Sequence, residues 1–172
     1  MKQIEKLYRL LIAAAASLQS PFLLAVRLYW GWQFCQDGYG KLTHLEKVTE
    51  FFGSLGLPAP GMTAAFVGGL ELLGGVLLIL GLGSRLISLL LTGNMLMAFV
   101  TADREALFSV FSDPDKFYGA APYTYLFAVV IVLIFGPGAF SLDAVIANQS
   151  RDREGAVGAP ITAPTAPSRS RL

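Results

Sequence analysis

Glu71 is the one charge in GGLELLGGVLLILG, residues 68–81, a stretch otherwise apolar enough to sit inside a lipid bilayer. A carboxylate at that depth is costly unless it points into protein and meets a partner. Positions 64, 68, 71 and 75 share one face of a helix, and they read Ala64, Gly68, Glu71 and Gly75. Small residues at this spacing let two membrane helices approach closely, so the face is a packing face and Glu71 turns into a bundle. The same test around Arg27 gives Leu24, Arg27, Gly31, Cys35 and Gly38. Counted from one membrane surface, Arg27 lies about six residues deep and Glu71 about eleven, a difference of roughly 7 Å at the helical rise. An extended arginine covers most of that. The sequence therefore predicts an intramembrane ion pair, Arg27–Glu71. Such a pair can pin two helices, relay a proton or an anion, or edge a polar cavity. In the cavity reading Gln33, Asp37 and Asn94 add hydrogen-bonding groups, and Tyr29, Trp30, Trp32 and Phe34 supply apolar or stacking walls.

The elements that position these groups follow from composition. The chain has 172 residues, of which 54% are hydrophobic and only 15% charged, and its mean hydropathy of +0.58 is that of a membrane protein. Four stretches approach the roughly 20 apolar residues that a bilayer core of about 30 Å requires. They are 21–40, 62–82, 85–102 and 119–140, the first being the least apolar because it holds Arg27 and Asp37. The expected fold is an all-α membrane protein, a four-transmembrane-helix bundle over 21–146. Basic residues outside the spans gather at Lys2, Lys6, Arg9, Arg85, Arg151, Arg153, Arg169 and Arg171, outnumbering Lys41, Lys47, Arg104 and Lys116 on the other side. By the positive-inside rule both termini are cytoplasmic.

Residues 1–20 have the basic start and apolar run of a signal peptide. Ile4, Leu7, Tyr8 and Leu11, however, fall at helical spacing, and the segment is read as an interfacial helix leading into Pro21. Between the first two spans, Thr43 and Glu46 have the spacing of a capping box, and Leu42, Leu45, Val48, Phe51, Phe52 and Leu55 then share a face. This predicts an amphipathic surface helix, which together with the partly apolar loop 103–118 would lid a pocket. The tail 147–172, rich in Pro, Ser and Arg, lacks the apolar residues for a core and is expected to be disordered and cytoplasmic.

Several chemistries are excluded. The single histidine, His44, lies in a loop, so no bis-histidine haem forms, and no metal site is expected. The single cysteine, Cys35, allows no internal disulfide or Cys-x-x-Cys centre. No P-loop, dinucleotide fingerprint or basic nucleic-acid patch occurs.

The motifs RLYWGWQFCQDGYGKL, FFGSLGLPAP, VGGLELLGGVLLILGLGSRL, MLMA and GPGAFSLDAVI, in that order between Ala25 and Ile146, resemble the DoxX/DoxD family of small four-helix bacterial membrane proteins. The resemblance implies a four-helix bundle in the bacterial inner membrane. For some members it also implies a subunit of a membrane oxidoreductase complex, including thiosulfate:quinone oxidoreductase. It places Arg27, Lys41, Glu71, Arg85 and Asp143 on recurrent polar positions. Where many members carry an acidic residue before helix four, this chain reads GAAPYTY. Three function classes follow: a redox subunit that binds quinone and works with a separately encoded partner, a non-catalytic anchor or assembly protein, and a small carrier with an Arg27–Glu71 relay. There is no intrinsic cofactor, quinone being the candidate ligand, and a homo-oligomer is left open.

Overall fold

In the computed structural model, which describes residues 2–157, the chain is helical throughout, with no strand among the described residues. Helix α1 (Lys2–Thr43) runs for 42 residues, about 63 Å at 1.5 Å per residue and twice a bilayer core. Pro21 lies inside it and does not divide residues 1–20 from the rest. The proline costs a backbone hydrogen bond. The helix continues because the alanine run 13–16 before it has the strongest helix propensity and the turns after it are fixed against a neighbour.

A one-residue break at His44 leads to α2 (Leu45–Ser54), whose Leu45, Val48 and Phe52 are half-buried. The expected capping box does not form. Thr43 still belongs to α1, where its hydroxyl donates to the carbonyls of Tyr39 and Gly40 at 2.9 and 3.1 Å, and the α2 start has no side-chain cap. Helix α3 (Pro60–Leu80) and α4 (Ser84–Thr101) are joined by a tight turn in which Gly81 and Gly83 take positive φ. Two short helices, α5 (Arg104–Phe108) and α6 (Pro114–Gly119), are tied by Lys116 to Glu105 at 2.8 Å. Helix α7 (Ala121–Phe135) follows, then α8 (Leu142–Val157).

Three helices, α1, α3 and α4, are long and apolar enough to cross a membrane. The fourth expected span, 119–140, is shorter than its hydropathy suggests. Gly119 belongs to α6, and Gly136 and Gly138 turn the chain at positive φ on either side of Pro137. What remains is 15 residues, about 22 Å of helix. At the C-terminus α8 continues past 147, where the tail is expected to begin; 148–157 contains no proline and is rich in helix formers. Residues 158–172 lie outside the described ones.

Phe34, Leu78, Ile87, Leu91, Met95, Val129 and Val132 form the buried core shared by α1, α3, α4 and α7. The closest contact is α1 against α3, which run antiparallel through the two small-residue faces. Gly31 meets Gly75, and Gly38 meets Gly68. A Cβ on Gly38 would fall on the Leu72 amide and within 2.6 Å of the Gly68 carbonyl, whereas one on Gly69 would meet nothing within 4 Å. Gly38→Ala should therefore lower stability in detergent by about 1–3 kcal/mol, the usual cost of overpacking, while Gly69→Ala should be neutral or slightly stabilising. Thermal unfolding of the two variants side by side checks this, and equal melting temperatures would show that the seam is not rigid.

Candidate functional site

The α1–α3 seam carries one polar cluster at each end, and they do not share Glu71 and Arg27. Helices point their Cα–Cβ bonds toward their own N-termini. In an antiparallel pair registered by Gly31 with Gly75 and Gly38 with Gly68, Arg27 is level with Ile79 and leans away from Glu71. Glu71, level with Cys35, leans the other way, and the two levels are about 12 Å apart. The predicted Arg27–Glu71 pair is thus replaced by two separate arrangements, and a relay through it has no path.

Arg27, 1% exposed, spends its guanidinium on backbone. Nε donates to the Leu78 carbonyl at 3.0 Å, one terminal nitrogen to Pro137, and the other to Ile79 and Phe140 at 3.3 and 2.9 Å. It satisfies carbonyls at the C-terminus of α3, where the helix dipole favours a cation, and binds them to the loop after α7. Gly81 is required there, since a Cβ would lie 2.8 Å from the guanidinium carbon. Asp143 completes this end. Its carboxylate accepts from the amides of Gly83 and Ser84 at 2.7 and 2.9 Å, capping α4 from 60 residues away, and its own amide donates to Gly81. Burial pushes the Asp143 carboxyl up, but the amide bonds and the Arg27 charge outweigh it and hold the group below the ordinary carboxylate range. Arg85 is exposed and lies beside Gly136.

At the other end Lys41 Nζ pairs with Glu71 Oε2, and Asn94 Nδ2 donates to Glu71 Oε1 at 2.9 Å. Glu71 is 2% exposed, so both carboxylate oxygens are satisfied where no water competes. This triad edges a cavity of about 600 Å³ between α1, α2, α3, α4 and α7. Of the predicted pocket residues, Asp37 and Asn94 line it; Trp30, Gln33 and Phe34 do not. The cavity stops at Tyr125, and Trp30 and Phe34 pack edge-on against the far side of that ring with centroids 5.0 and 4.9 Å away. Tyr29 and Trp32 face outward. The walls are instead apolar side chains of α2, α3 and α4, including Phe52, Val67, Leu70 and Met95. No group of metal-binding side chains occurs among the described residues. In the sequence only the family resemblance points to Lys41, and no pattern points to Tyr125. The N-terminal lean of side chains on antiparallel helices is the sequence signal that would have matched Lys41 to Glu71.

The DoxX family model matches residues 22–104, the segment from α1 to the end of α4 that holds the triad. A Bacillus subtilis (strain 168) protein named "Putative oxidoreductase CatD" is 32% identical over 103 residues, covering 60% of this chain and 69% of that one. The chain belongs to the DoxX family. A second relative, from Mycobacterium tuberculosis (strain ATCC 25618 / H37Rv) and named "Uncharacterized membrane protein Rv3486", is 28% identical over 137 residues, 76% of this chain and 84% of the relative. No solved structure matches. Family membership and the apolar helices make this DoxX protein a membrane protein.

Two predictions follow from the geometry of this DoxX site. Lys41→Met and Glu71→Gln should be non-additive in thermal unfolding, because Lys41→Met strands the buried Glu71 carboxylate at about 3–5 kcal/mol whereas Glu71→Gln leaves only a half-buried ammonium and costs less; Arg27→Met combined with Glu71→Gln should be additive. The reverse pattern would restore the Arg27–Glu71 pair. Asp143→Asn should cost about 1 kcal/mol, the typical value of a helix cap. Because the folded carboxyl titrates below its unfolded value, the wild-type advantage is complete above about pH 4 and disappears as pH falls through the lowered value. Melting curves of both proteins across acidic pH read this out, and a constant difference would mean that the carboxylate charge is not involved.

Proposed function

We propose that this protein is the membrane subunit of a redox complex that binds a quinone in the cavity beside Lys41 and exchanges electrons with a separately encoded partner. The observation that carries the reading is the cavity itself: apolar walls of a size that takes a substituted ring, with one concentrated set of polar groups at Lys41, Glu71, Asn94 and Asp37. The donor set fits. An ammonium has three N–H bonds, one of which Glu71 engages, so Lys41 can donate to a quinone oxygen while its charge stays balanced. Glu71 and Asn94 hold that ammonium in place. Asp37 and Tyr125 line the same space and can hold or pass a proton. A bound quinone would supply two-electron chemistry to a chain that has one cysteine and one histidine. The name of the Bacillus subtilis relative points in the same direction.

In this reading α7 completes a four-helix bundle, with the bilayer thinned around its 15 residues. α2 lies at the outer surface over the cavity mouth. Both termini, with the basic residues at the Arg27 end, are cytoplasmic, in the inner membrane of a bacterium. Residues 3–20 extend α1 beyond the bundle on that side, where their apolar face meets the membrane surface or the partner.

Extraction in mild detergent followed by mass spectrometry should find quinone copurifying with the wild type and a partner carrying a flavin or other redox centre. Lys41→Met should lose the quinone while the exposed-loop variant Phe111→Ala retains it. Wild type free of quinone after gentle extraction from quinone-rich membranes would overturn the reading.

A further inference from the structure

We propose that the cavity is loaded sideways from the bilayer, through the gap between α3 and α4, and that its occupant is accordingly a quinone with a long apolar tail. This rests on the quinone reading above and adds the route and the tail.

The two helices are in contact near their connecting turn, where a Cβ on Gly74 would lie 3.1 Å from Leu91 and 3.3 Å from Ile87. At mid-span Asn94 bonds Glu71 across the pair. Beyond that bond the cavity separates them, with Phe66 and Leu70 on one side and Met97 and Ala98 on the other. The rim residues both line the cavity and face outward: Phe66 is 70% exposed, Met97 56% and Leu90 48%. Apolar side chains exposed within membrane-crossing helices face hydrocarbon, so this opening faces lipid. Between them stands Gly93, where an added Cβ would meet nothing within 4 Å. Glycine in a helix interior is unfavourable relative to alanine, and here its effect is to keep the gap open. On the side of α2, Phe51, Phe52 and Leu55 narrow the approach from water, where Thr63, Thr101 and Asp103 also line the cavity. A polar head held at Lys41 and an apolar mouth toward lipid suit an amphiphile whose tail stays in the membrane.

The test uses the full chain in lipid nanodiscs, with the outward-facing Trp32 replaced by Phe in every variant, and quenching of Trp30, whose ring lies 5.0 Å from that of Tyr125 on the cavity wall. The probes are a decyl-tailed ubiquinone analogue and its tail-less benzoquinone head. Gly93→Phe should weaken binding of the tailed quinone by about tenfold or more, the scale of a misfit in an apolar pocket, and leave the tail-less one unchanged. Gly69→Phe, at an open position that does not line the cavity, should change neither. Gly93→Leu serves in its place if the phenylalanine variant fails to accumulate. Equal binding of the tailed quinone by wild type and the Gly93 variants, or equal weakening of both probes, overturns the lateral route while leaving the quinone reading intact. Wild type that binds neither probe removes both.

Discussion

Backbone contact between α1 and α3 is the constraint from which the remaining arrangement follows. Two helices registered on Gly31, Gly38, Gly68 and Gly75 have no freedom to slide, because carbonyl oxygens and amides stand where side chains would otherwise cushion the approach. That register decides which charges meet. It sets Lys41 over Glu71 and sends Arg27 to the end of α3, so that Glu71 is buried against a half-exposed lysine while Arg27 is held by carbonyls. Each solution removes a charge from hydrocarbon by a different means.

The two ends of the seam consequently differ in character. The Arg27 end is closed: carbonyls from α3 and from the loop after α7 converge on one guanidinium, Asp143 caps α4, and glycines at positive φ make room. The Lys41 end is open, since α4 diverges from α3 there and α2 only partly fills the space. A cavity between bundle helices is a common place for a ligand pocket.

Much of this was legible in the sequence. Spacing of Ala64, Gly68, Glu71 and Gly75 identified the packing face, and all four residues are buried in the structure. Their counterparts Gly31 and Gly38 on α1 were found by the same test. Depth alone, however, does not choose a partner for Glu71. The difference lies in the lean of side chains toward each helix's N-terminus, which brings Lys41 and Glu71 together and drives Arg27 apart from it. Hydropathy likewise overran α7, because Gly136 and Gly138 act through φ and not through polarity. The cavity boundary at Tyr125 depended on α7 packing across α1, which no local pattern encodes.

The arginine cluster also bears on how the chain is made. Arg27 enters the membrane with the first helix, but its partners arrive late: the α3 carbonyls some 51 residues on, and those of Pro137 and Phe140 more than a hundred residues on. Until the loop after α7 has emerged from the ribosome, the guanidinium of α1 stands half-satisfied at the membrane edge. A chain lacking that loop would keep the Leu78 and Ile79 carbonyls for Arg27 and lose those of Pro137 and Phe140, leaving a cation only partly compensated. Full burial of Arg27 in this fold therefore waits on carbonyls more than a hundred residues further along the chain.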